Sequence, residues 1–165
     1  MSTLRSSIKN AVTRSGGSVF WKKYTITSSA ITTSAQTLTP TITGGELVVM
    51  QVILQTDATG LAGGTNFELS VTNAVAQKGI NTAFVAETVA NLGANITRSM
   101  VPYQAGTNKY QFSVTGVPIV MNRGSYITYQ NTAANGTGAG TMDIYLRFER
   151  LDDGSQLSSL SSGTP

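Results

Sequence analysis

The chain contains neither cysteine nor histidine in 165 residues. Without histidine, no side chain has an unperturbed pKa suited to proton shuttling near neutral pH. Without cysteine there is no disulfide framework, thiolate nucleophile or soft metal ligand, so stability must come from packing or oligomerisation. Charge is scarce as well: charged residues make up 12% of the chain, about half the usual share of roughly 25%. Solubility then rests on Thr, Ser, Asn and Gln, or the chain resides in an assembly. No stretch approaches the roughly 18 apolar residues of a membrane helix, and residues 1–5 lack the apolar core of a signal peptide. The expectation is synthesis in a cytoplasm and no membrane partner.

What charge there is lies unevenly. Residues 1–23 hold Arg5, Lys9, Arg14, Lys22 and Lys23 with no acid, whereas the remainder holds six basic and eight acidic residues. Leu4, Ile8 and Val12 recur every four residues behind Ser2 or Thr3 as a cap, forming an apolar stripe on a short helix with Arg5 and Lys9 beside it. About three turns alone are marginal in water, and Ser15-Gly16-Gly17-Ser18 reads as a flexible joint. The chain therefore divides into an N-terminal arm over residues 1–17, a β-sandwich domain over 18–151, and a Ser- and Gly-rich flexible tail over 152–165. The arm is expected to order only on docking. Leu4, Ile8 and Val12 would then be buried against a partner, with Arg5, Lys9 and Arg14 meeting an acidic surface or phosphates.

Beyond the joint the pattern is that of strands. Residues 19–27 carry aromatic and β-branched side chains, and Thr-rich extended character continues over 30–38. Residues 46–55 are apolar nearly throughout, as in a strand covered on both faces. Phe67, Leu69 and Val71 alternate with Glu68, Ser70 and Thr72; Tyr110, Phe112 and Val114 repeat the pattern. Met142, Ile144, Leu146 and Phe148 alternate with Asp143, Tyr145, Arg147 and Glu149. Strands over 117–121 and 125–130, joined by Asn122-Arg123-Gly124, suggest a hairpin. Residues 82–92 fit either a helix that Gly93 ends or a strand. Gly-rich tracts over 56–65 and 131–141 are loops. Short strands with frequent turn signals predict an all-β fold, an antiparallel β-sandwich of jelly-roll type with a short N-terminal arm.

Few residues are arranged for chemistry. The carboxylates are Glu46, Asp57, Glu68, Glu87, Asp143, Glu149, Asp152 and Asp153, and a glycosidase would need two of them facing each other across a groove. The alternation instead points most of them outward beside polar neighbours. Asp57 in its Gly-rich loop and the pair Asp152-Asp153 leave room for a weak calcium site. The glycine loops lack the Lys-Ser/Thr ending of a phosphate loop, and no Ser or Thr has an evident base. The expectation is no enzyme activity, no cofactor and no metal. Trp21 beside Lys22 and Lys23 is read as core or interface more readily than as a base-stacking platform.

The joint at 15–18, the Thr/Asn/Gly-rich loops, the missing Cys and His, and the closing strand over 141–150 together resemble the small β-sandwich virion proteins, especially the decoration or cement proteins of tailed-phage heads. The resemblance lies in whole-chain character and carries no signature motif. It implies a homotrimer in the virion, seated where subunits of the capsid protein lattice meet. The expected function is thus a non-enzymatic virion structural protein that oligomerises and binds a capsid lattice. One alternative is a single-jelly-roll coat protein whose basic arm meets nucleic acid. The other is a host-receptor or carbohydrate-binding module.

Overall fold

A computed structural model describes residues 19–44, 46–72, 83–100, 119–150 and 156–157. One sheet is built from β1 (Val19–Thr27), β4 (Leu47–Thr56), β7 (Thr97–Met100), β8 (Ile119–Met121) and β10 (Thr141–Arg150). The other is built from β2 (Gln36–Thr37), β5 (Asn66–Thr72), β6 (Ala83–Thr88) and β9 (Tyr126–Asn131), and a small ribbon pairs β3 (Ile42–Gly44) with β11 (Gln156–Leu157). Every pairing is antiparallel. The first sheet runs β1-β10-β4, with the far edge of β4 taken by β7 at one end and β8 at the other; the second runs β2-β9-β5-β6. The pairs β1–β10, β2–β9, β4–β7 and β5–β6 are nested, like one long hairpin whose tip lies between β5 and β6. Rolling that hairpin until β10 also meets β4 and β9 also meets β5 gives a jelly roll.

Strict alternation is what lets β10 serve as the spine. Met142, Ile144, Leu146 and Phe148 are fully buried while their neighbours are half-buried or exposed. They face Phe67, Leu69 and Val71 of β5, Ile127 of β9 and Val85 of β6 within one core cluster, and Phe20 of β1 stacks on Phe148 at 5.4 Å between ring centroids. Tyr24 packs against the same cluster, and burial pushes its phenol up to about 12.

In β4 the apolar run has a different cause from the one its composition suggests. The pairing with β10 shifts between Gln51 and Val49, leaving Met50 as an extra residue in a bulge. That shift lets Leu47 and Val49 on one side of the bulge, and Val52 and Leu54 on the other, all face the core. Cover on the outward side is deepest at Val48, which is 7% exposed and lies outside the core cluster.

Three further expectations change. Residues 30–38 are not a strand beyond Gln36–Thr37: Ser28–Ala30 form a 3-10 turn, and the fully buried Ile31 plugs the end of the core. The Thr32 N–H then bonds Gln36 Oε1 at 3.1 Å and the Thr32 hydroxyl bonds the Ser34 carbonyl at 3.0 Å, local bonds that compete with a ladder. The 122–124 turn does not close a hairpin, because β8 pairs with β4 and β9 with β5 and β2. It carries the chain from one sheet to the other, fastened by Gly124 N–H on the Ile42 carbonyl (2.8 Å) and Ile42 N–H on that of Ser125 (2.9 Å). The ambiguous 82–92 segment is a strand followed by a 3-10 turn, Val89–Asn91. The strand over 110–114, the arm and the joint lie outside the described residues. Within the 152–165 tail, Gln156 and Leu157 pair with Gly44 and Ile42.

Candidate functional site

The broadest side-chain array is the outward face of β1, β10 and β4. In-register pairing lines Trp21, Arg147 and Gln51 in one row, Lys23, Tyr145 and Ile53 in the next, and Thr25, Asp143 and Gln55 in a third. Gln51 ties its row to the next by donating at 2.9 Å to Ser99 Oγ of β7, the residue across from Ile53. Trp21 at 46% and Val19 at 40% exposure are the large hydrophobic side chains left open among the described residues. Around them the polar groups are tied down. Lys23 Nζ lies 2.8 Å from Asp143 Oδ2 and over the Tyr145 ring, and the Thr25 hydroxyl donates to Asp143 Oδ1 at 2.6 Å. The hydrogen bond it donates to Asp143 holds the Lys23 ammonium above its ordinary range; burial opposes the low value of Asp143, but its bonds from Lys23 and Thr25 prevail. Both sit near the surface, where such a pair contributes little to stability. Its effect is to fix the side chains in one arrangement.

Leu4, Arg5, Ile8, Lys9, Val12 and Arg14 lie outside the described residues, whereas Lys22 and Lys23 of the same basic run stand exposed on β1 beside Trp21. The tryptophan is therefore a surface residue.

Asp152 and Asp153 lie outside the described residues; of the other carboxylates, Asp57 and Glu87 are placed for structure. Asp57 Oδ1 accepts from the Thr59 and Gly60 N–H groups, both at 2.8 Å, and Oδ2 accepts from the N–H (2.8 Å) and hydroxyl (2.9 Å) of Thr141. These donors, led by the Gly60 N–H, pull its carboxyl down to about 2. Four donors converging on one carboxylate leave no lone pair turned to a cation, so Asp57 is a loop staple and the calcium reading does not fit it. Glu87 departs from the outward expectation, being 2% exposed beside Phe67. Its Oε1 accepts from Thr88 N–H (3.1 Å) and Asn91 Nδ2 (2.8 Å), while Oε2 is buried without a partner. On the other side of Phe67, Asn131 donates to the Gly63 carbonyl at 3.3 Å and leaves Oδ1 unpaired. Only the inward register of β6 and β9 reveals this buried polar pair, and the ambiguity over 82–92 hid it.

The two glycine loops pack on each other instead of cradling a ligand. Thr137 N–H donates to the Ala62 carbonyl at 2.7 Å, and Ser28 Oγ bridges both backbone groups of Ala62 at 2.9 and 3.0 Å. A side chain on Gly140 would collide with the Gly60 carbonyl, and Gly60 itself has φ of +74°. Close backbone approach is what these glycines supply.

No protein-family model and no curated protein sequence matches the chain. Among solved structures it is similar to a chain of the capsid of Ralstonia phage GP4, at 17% identity and a TM-score of 0.49, covering 83% of this chain and 87% of that one. It is similar also to a chain of the cyanophage Pam1 capsid asymmetric unit, at 19% identity and a TM-score of 0.43, covering 82% and 88%. A chain from the Gx strain of infectious bursal disease virus gives 17% identity and a TM-score of 0.22, covering 84% of this chain and 38% of that one.

Proposed function

We propose that this chain is a non-enzymatic structural protein of a virion, a decoration or cement protein that oligomerises and seats on a capsid lattice. One observation carries the reading. The outward face of β1, β10 and β4 presents Trp21 and Val19 beside tied-down polar groups, at the start of the strand that follows the arm. A flat face of this kind offers contact area, and the carboxylate best defined in its bonding, Asp57, is spent on holding loops together. The whole-chain resemblance to phage-head decoration proteins supports the same reading. Synthesis in a host cytoplasm and residence in the virion follow from it.

The test is mass spectrometry of purified particles of the virus that encodes the chain, coupled to rebinding of the purified protein. The chain should be present in stoichiometric amount, and binding should survive high salt because apolar contacts carry it. A Leu4→Ser, Ile8→Ser variant that keeps every charge should bind more weakly. Absence from particles ends the reading. Binding that salt strips while the double variant binds normally would favour a coat protein whose arm meets the genome, since phosphate contacts weaken steeply with salt.

A further inference from the structure

We infer that the free edge of β1 is a docking edge, to which an extended, acid-bearing segment of a partner protein adds as a further strand. Among the described residues, β1 pairs on one side only, with β10, along all nine of its residues. At about 3.4 Å per residue this leaves roughly 30 Å of backbone N–H and C=O groups facing outward from the sheet. Sheet edges of such length are ordinarily shortened, bulged, covered or set with charged side chains that turn away unsuited strands, and Lys22 and Lys23 are of the last kind. Among the described residues this one is straight in register and uncovered, with Val19 and Trp21 exposed on it.

The occupant is fixed by charge and by the alternation of donors and acceptors. Lys22 is exposed, Arg147 stands across from Trp21, and Arg150 lies 5.1 Å over the Phe20 ring. Of the acids nearby, Asp143 is already taken by Lys23 and Thr25, and Glu149 across from Val19 offsets one of Lys22, Arg147 and Arg150, which leaves the strip a net cation seeking acidic partners. Phosphates would match that charge but only accept hydrogen bonds, leaving the edge carbonyls unanswered, whereas a peptide strand answers both groups. A second copy of the chain fits poorly: Lys23 is the middle residue of β1, so two-fold pairing centred there would set Lys23 against its own copy, with Lys22 one residue to either side. The inference is independent of the virion reading, since peptide capture would stand if particle binding failed, and the reverse.

Trp21 is the only tryptophan, so its fluorescence reports this edge alone. The probes are a capped ten-residue peptide alternating Thr and Glu, its Thr/Lys counterpart, and the Thr/Glu peptide with proline at its centre. The Thr/Glu peptide should shift Trp21 emission to shorter wavelength and slow hydrogen exchange of the β1 amides. The other two should bind at least tenfold more weakly, and a Lys22→Glu variant should prefer the Thr/Lys peptide. Equal binding of the proline peptide would reduce the effect to charge attraction and overturn strand addition. So would an oligothymidylate that quenches Trp21 and competes the peptide away, self-association that protects β1 as protein concentration rises, or no response to any peptide at millimolar concentration.

Discussion

Asp57 joins two pieces of chain at one carboxylate, taking donors from its own loop and from the first residue of β10. Its folded-state value of about 2 lies below the ordinary carboxylate range near 4. The sign follows: the stabilisation is complete above about pH 4 and is lost as pH falls through 2. Acid unfolding followed by circular dichroism should therefore steepen in that window, and Asp57→Ala should flatten it while lowering the thermal midpoint at neutral pH. Glu87 presents the opposite case, a buried carboxylate with one oxygen unpaired. Glu87→Gln keeps an oxygen for Thr88 and Asn91 and removes the charge, so calorimetry should find stability unchanged or raised by about 1 kcal/mol. A loss larger than that would mean Oε2 is a working acceptor. The sequence marked Asp57 as unusual through its glycine neighbours, but two of its four bonds come from Thr141, 84 residues away. No local pattern connects them.

At the scale of elements, what was legible is what alternates. β5 and β10 declare their faces residue by residue, and the nine residues of β1 match the aromatic and β-branched run that announced them. β4 was harder to read because a single extra residue, Met50, reverses the phase halfway along. The turn at 122–124 has hairpin chemistry, yet which strands flank each other is decided across the sandwich and not within the turn. Phe148 tests the packing that results, since it is fully buried, stacks on Phe20 and belongs to the strand shared by β1 and β4. Phe148→Ala should cost about 3–5 kcal/mol in denaturant unfolding. Trp21→Ser, on the outward face of the same sheet, should cost less than 1 kcal/mol by the rule for exposed substitutions of roughly 0.5 kcal/mol. Comparable losses from the two would mean that Trp21 is covered in the folded protein.

For the whole molecule, composition disclosed the class and the structure supplied the connectivity. Scarce charge, abundant Thr and no Cys point to a sandwich meant for contact, but nesting of strands is a long-range property that a periodicity of two does not encode. Oligomerisation remains the natural way to cover the open face, and light scattering should find a multiple of 17.3 kDa, most simply a trimer. Removing residues 1–17 should leave the far-ultraviolet spectrum and unfolding midpoint unchanged, because the alternating strands all lie after Gly17. The order of the first sheet also bears on how the protein is made. β10 lies between β1 and β4 in space but is translated after both, and β1 has no other strand partner among the described residues. A nascent chain thus carries β1 unpaired through more than a hundred further residues of synthesis, and the sheet closes only when residue 150 has left the ribosome. Such non-local closure is slow. A chain broken off at residue 140 retains most of the other strands, yet it lacks the one that holds β1 in the sheet, so the row that carries Trp21 is not assembled until β10 arrives.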